Sequence, residues 1–106
     1  MGKAVELLYF EGCPTYKTTL KDLEEMVKQE DLDARIALIR VESEEDAKKL
    51  RFLGSPTVRV DGVDVDQTAR ESSDFGLRCR IYRVDGRMLG SPSRETLGRA
   101  LKGGPA

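Results

Sequence analysis

The sequence predicts an α/β domain of three layers, with a mixed central sheet between helices, and three observations carry that prediction. Residues 5–10 (Val-Glu-Leu-Leu-Tyr-Phe) and residues 34–41, which hold Ile36, Leu38 and Ile39, are short apolar runs of the kind that form strands buried on both faces. Each run is followed by a stretch with helical character. After Thr57 the pattern changes to short β-rich segments broken by Asp-Gly pairs, a hairpin signal. Strand–helix–strand–helix order implies parallel pairing through right-handed crossovers, and hairpins imply antiparallel pairing, so the sheet should be mixed. The expected element order is β-α-β-α-β-β-(loop)-β-(β)-α. A chain of 106 residues is one domain by size, here with a core over about residues 4–102 and a frayed tail at 103–106.

The elements follow in order. After the first strand comes the breaker cluster Glu11-Gly12-Cys13-Pro14. From Thr15 to about Glu30, Leu20, Leu23 and Val27 fall on one helical face with Tyr16 and Met26 at its margins. Pro14 suits a first helical turn, where a missing N–H is no loss, so Cys13 falls at or beside the N-cap. Ser43 followed by Glu44, Glu45 and Asp46 reads as a capped helix start, with Ala47 and Leu50 continuing the helix and Gly54 ending it. Thr57–Val60 is a strand, Asp61-Gly62 a turn, and residues 63–65 an antiparallel return. Residues 67–76 are polar and irregular, and residues 77–84 read as a further strand. Asp85-Gly86 repeats the turn signal, and the tetrapeptide Arg-Val-Asp-Gly occurs at both 59–62 and 83–86 as one turn solution used twice. Ser91-Pro92-Ser93 opens a last helix with Leu97, Ala100 and Leu101 as its apolar stripe.

Composition narrows the chemistry. Eighteen Lys and Arg against nineteen Asp and Glu give a net charge of −1, with no basic stripe, which argues against a nucleic-acid partner. Arg78, Arg80 and Arg83 are expected to face solvent from a strand. No apolar run has the length of a membrane span, and the N-terminal residues lack the basic, apolar and small-residue order of a secretion signal. A cytoplasmic location, where thiols stay reduced, is the expectation. The absence of histidine excludes Cys–His and Ser–His–Asp catalysis and histidine-bearing zinc sites. The acids at Glu42, Glu44, Glu45 and Asp46 lack the spacing of a hard-cation loop and read as a helix N-terminus.

Chemistry therefore concentrates on the two cysteines, 66 positions apart. A thiol at a helix N-terminus faces unpaired amides and the positive end of the dipole, which favours the nucleophilic thiolate. Cys13 is expected to present its sulfur there, with Lys17 adding positive potential and Tyr16 packing over the thiol. Cys79 sits in Leu-Arg-Cys-Arg-Ile-Tyr, where strand alternation puts Leu77, Cys79 and Ile81 on one face and the charges on the other. It reads either as a small core residue or as a partner thiol at the rim near Cys13. Asp61 and Asp85 read as turn residues.

Two loops carry a family resemblance. Phe10-Glu11-Gly12-Cys13-Pro14-Thr15-Tyr16 resembles the strand–loop–cysteine–helix active site of the thioredoxin-like superfamily. Gly54-Ser55-Pro56-Thr57-Val58 resembles its cis-proline segment. The resemblance implies a cis bond at Ser55-Pro56 and a backbone edge at Ser55, Pro56 and Thr57 for an extended substrate, with Pro14 and Tyr16 beside it. Dithiol members carry a second cysteine three positions after the first, where this chain has Tyr16. Cys13 must then act alone, pair with Cys79, or share a soft metal with it. The wider layout also resembles small proteins grouped with alkylmercury lyases. That likeness implies Cys13 and Cys79 as the two thiols for mercury and an aspartate three positions after the first, where this chain has Tyr16, with Asp74 of the rim loop as a stand-in that the spacing does not demand. Three functions follow from these resemblances: thiol–disulfide exchange with a small or protein thiol, soft-metal or organomercurial binding with no other cofactor, and a non-catalytic adaptor that binds an extended partner.

Overall fold

The computed structural model describes residues 3–84 and 86–103. Strand β1 (Lys3–Tyr9) leads through helix α1 (Tyr16–Gln29) to β2 (Ala34–Arg40), which pairs parallel to β1. Helix α2 (Glu44–Lys49) leads to β3 (Thr57–Val60), antiparallel to β1 with Leu7 opposite Val58, and β3 turns into β4 (Val63–Asp64). The sheet order is β2-β1-β3-β4, a mixed sheet. A 3-10 turn (Gln67–Ala69) follows, then a separate hairpin of β5 (Tyr82–Val84) and β6 (Arg87–Leu89), then helix α3 (Arg94–Gly103). No helix among the described residues is long and apolar enough to cross a membrane.

Strand alternation splits the core between the two faces of the sheet. Val5 and Leu7 of β1 join Val58, Val60, Leu23 and Met26 of α1, and Leu97 and Leu101 of α3 in one cluster. Leu8 joins Val41, Ala47 of α2 and Phe52 in the other. Local chemistry sets the element ends. The Ser43 hydroxyl accepts the Asp46 N–H at 3.0 Å, capping α2. The Ser93 hydroxyl accepts the Thr96 N–H at 3.1 Å and caps α3 in the same way. Asp61 (φ 52°) and Gly62 (φ 83°) make the left-handed pair that a tight two-residue hairpin needs.

Four expectations are corrected. The second strand is not buried on both faces: β2 is an edge of the sheet, and Leu38 is 48% exposed. Helix α2 stops well before Gly54, because Arg51 takes the left-handed conformation (φ 56°) and the Phe52 N–H bonds back to the Ala47 carbonyl at 2.8 Å. That is a Schellman-type stop, closed by Phe52 packing in the same cluster as Ala47. The expected strand over 77–84 is a strand only at Tyr82–Val84, and its hairpin stands apart from the main sheet. Gly103 belongs to α3, while residues 104–106 of the expected tail, and Asp85 of the second turn, lie outside the described residues.

Candidate functional site

The end of β1, the start of α1, the loop before β3 and the irregular segment 76–81 meet at one place. Cys13 leaves β1 through a turn in which its N–H bonds to the Phe10 carbonyl at 3.2 Å. Pro14 and Thr15 then form the first bonded turn onto α1, with the Lys17 and Thr18 N–H groups bonding to their carbonyls. Cys13 thus lies just ahead of α1, two residues before the N-cap Thr15 and not at or beside the cap as expected, and Pro14 also precedes the cap. Its sulfur is joined in a disulfide to Cys79, with the α-carbons 5.7 Å apart. The Thr15 hydroxyl, 3.3 Å from the Cys13 sulfur, donates to it, since a disulfide sulfur has no proton to give. The Ser55 carbonyl oxygen lies 3.6 Å from the same sulfur.

The exposure of Cys13 is the reverse of that expected, and of the two positions read for Cys79 the one near Cys13 is found. Cys13 is 2% exposed, whereas Cys79 is an exposed residue. The segment 76–81 runs beside the loop before β3 as a strap and is tied to Cys13 by the disulfide. It makes one isolated parallel bridge to the loop before β3: the Ser55 N–H donates to the Arg78 carbonyl at 2.7 Å, and the Arg80 N–H donates to the Ser55 carbonyl at 2.8 Å. The Ser55-Pro56 bond is cis, as the resemblance implied. The backbone edge at Ser55 that was expected to receive a substrate is therefore already paired with the chain's own strap. Gly54 (φ 128°) makes this close approach feasible, because a Cβ there would sit 3.0 Å from the Arg80 Cβ and 3.2 Å from the Arg78 carbonyl oxygen.

Arg78, and Arg83 just beyond the strap, are exposed as expected, but the alternation over 79–82 runs opposite to the expectation. Arg80 and Tyr82 point inward, Cys79 and Ile81 outward, with Ile81 60% exposed. The Arg80 guanidinium grips Asp64 through two bonds of 2.8 and 2.9 Å, and donates to the Thr57 hydroxyl at 3.2 Å. Asp66 stands 3.7 Å away, and the guanidinium also lies over the Tyr82 ring at 4.5 Å. Burial works against the Arg80 charge, but the Asp64 hydrogen bonds and the surrounding negative groups outweigh it and raise its pKa above the ordinary value. The Tyr82 hydroxyl donates to the Pro56 carbonyl, and burial pushes the phenol pKa well above 10.0. At the other end of the strap, the Leu77 N–H donates to Glu44 at 2.9 Å and the Gly76 N–H to the Phe52 carbonyl at 3.0 Å.

The remaining expected site residues fall as follows. Pro14 is exposed beside Cys13. Tyr16 is half-buried and stacks on Tyr9 with ring centroids 4.1 Å apart. Ser55, Pro56 and Thr57 are buried beneath the strap, and Thr57 donates its hydroxyl to the Gly54 carbonyl at 2.6 Å. The Ser55 hydroxyl is buried with no hydrogen-bond partner among the described residues. Asp74 gives both carboxylate oxygens to Arg78 at 2.8 and 3.3 Å, and this pairing holds its pKa below the ordinary carboxylate value. It is kept as an anion and is a poor proton donor. Arg80, expected to face solvent, is buried, and the sequence pointed to no role for Asp64 or Tyr82. The signal for them is the two-residue spacing of Arg80 and Tyr82, which puts them together on the face opposite Cys79.

No family model matches this chain, and no curated protein matches it.

Proposed function

We propose that this protein is a thioredoxin-like thiol–disulfide exchange protein whose redox pair is Cys13 and Cys79. One observation carries the reading: a disulfide joins the head of α1 to a segment hydrogen-bonded to the cis-proline loop. The sheet order β2-β1-β3-β4, with β1 and β2 parallel and β3 and β4 antiparallel, supports the thioredoxin-like assignment. Chemistry supports the exchange. Reduction would leave a thiol just ahead of a helix, where the Thr15 hydroxyl favours the thiolate. Cys79 stands in for the cysteine that the local motif lacks at Tyr16. The substrates in this reading are small thiols, disulfides or protein thiols, and in a cytoplasm the bond would be a transient working state rather than a permanent staple.

The test is turnover together with potential. Reduction of a model disulfide by the reduced protein is expected to stop in Cys13→Ser. The Cys13–Cys79 couple should titrate above about −300 mV, the region below which structural disulfides fall. A lower potential with no turnover would make the bond a staple and sink the reading. The same two sulfurs, when reduced, are also suited to one two-coordinate soft cation as cargo. Mercuric ion bound 1:1 and lost in either single Cys→Ser variant would favour that second reading. Cleavage of a carbon–mercury bond is the weaker part of it, because Asp74 is spent on Arg78.

A further inference from the structure

We infer that exchange enters at Cys79, with Cys13 as the buried leaving thiolate, so that the cysteine just ahead of the helix is not the point of attack. The inference rests on the exchange reading above and assigns the roles within it. An incoming thiolate needs access to the sulfur it attacks. Cys13 is 2% exposed beneath the strap, whereas Cys79 is exposed and lines a surface groove with Leu53, Ile81, Arg78 and Arg83. The leaving sulfur should be the one whose anion is better stabilised, since a thiol of lower pKa leaves faster. The Cys13 sulfur has the Thr15 hydroxyl at 3.3 Å as a donor to its anion, and the opposing Ser55 carbonyl oxygen is farther away at 3.6 Å.

The steps balance. A thiolate RS⁻ attacks the Cys79 sulfur. A bond forms between R–S and Cys79, the Cys13–Cys79 bond breaks, and its electron pair leaves on Cys13 as thiolate. A second thiolate then attacks the R–S sulfur, which releases RSSR and leaves Cys79 as thiolate. Two thiols are oxidised and the protein disulfide is reduced to two thiols. In between, the strap stays anchored through the Arg80–Asp64 pair and the Tyr82–Pro56 hydrogen bond. The adduct on Cys79 is therefore held opposite the Cys13 thiolate, which can return and expel RS⁻.

Oxidised full-length protein is mixed with glutathione, quenched within milliseconds to seconds by acid and then alkylated, and the peptides are mapped by mass spectrometry. The expected early product carries glutathione on Cys79 and the alkyl group on Cys13, with Cys79 adducts in at least about tenfold excess. Glutathione found mainly on Cys13, or spread equally over both cysteines at the earliest time, would overturn the assignment. So would reduction by dithiothreitol with no glutathione adduct trapped at either site. The measurement needs no turnover of a disulfide substrate. A Cys13 adduct in a protein that turns over refutes the entry point alone, and a Cys79 adduct in a protein that never turns over refutes the exchange function alone.

Discussion

The sheet with α1 and α3, and the strap over 76–81, are held by different forces. In the first region the contacts are apolar and redundant: Val5, Leu7, Leu23, Val58 and Leu97 all lie in one buried cluster, and losing part of any one leaves the others. In the strap the contacts are few, polar and directional. A buried Arg80–Asp64 pair, a Tyr82–Pro56 hydrogen bond, a bridge at Ser55, the Leu77–Glu44 and Gly76–Phe52 hydrogen bonds and a disulfide hold it, with Leu77 as its one apolar anchor. Apolar burial is non-directional and scales with area, so it fixes a layer without fixing an atom. Hydrogen bonds and a covalent bond fix atoms, as a site that must hold two sulfurs together requires.

That contrast can be broken most severely at Arg80. Arg80→Met leaves the buried Asp64 carboxylate without its guanidinium partner, and the expected loss is about 3–5 kcal/mol in chemical denaturation. Arg80→Lys, which keeps a charge but not the planar fork, should lose less. In variants that remain folded, the Cys13–Cys79 couple should also become easier to reduce in glutathione redox buffers, because Cys79 is no longer held opposite Cys13. A loss of stability with an unchanged potential would show that the pair only fills space.

Reduction of the disulfide, or Cys79→Ser, should cost about 2–4 kcal/mol, since the bond closes a loop across a sequence separation of 66. Hydrogen exchange should localise the change, with amides of the strap and hairpin losing protection while β1 and β3 keep theirs. Uniform loss across the sheet would erase the distinction between the two regions.

Tyr82→Phe should cost about 1 kcal/mol through the unmet Pro56 carbonyl. It should also change the alkaline limb of stability. The folded chain raises the Tyr82 pKa, so the neutral phenol's contribution is complete below the unfolded value of 10.0 and is lost as pH climbs above it. Wild type should therefore weaken above about pH 10 by more than Tyr82→Phe does. The smallest expected effect on stability is Ser55→Ala, because the buried hydroxyl has no partner to lose. If that hydroxyl turns to the reduced Cys13 sulfur, the variant should raise the Cys13 thiol pKa in an alkylation-rate titration with little change in melting.

Much of the framework was legible in the residues. The Ser43 cap, the opening of the last helix at Ser91-Pro92-Ser93, the Asp61-Gly62 turn and the helical face containing Leu23 are local signals, and the structure places each as read. The site was legible only in part. Gly-Cys-Pro marked the head of α1, and the chain order brought Cys79 to the same end of the sheet. Cys13 came out buried where exposure was expected, and Cys79 took the position near Cys13 that was one of its two readings. Reading residues 77–84 as one strand imposed a strict alternation with the arginines outward, but the segment has one isolated bridge instead of a ladder, and Arg80 turns in.

Element order, the Ser43 cap and the Asp61-Gly62 turn belong to the sequence alone, because each depends on side chains within a few residues of one another. Which of Cys79 and Arg80 faces inward was decided by tertiary structure. A guanidinium can enter a protein interior only where carboxylates meet it, and Asp64 reaches Arg80 only after β4 and the strap have been folded side by side.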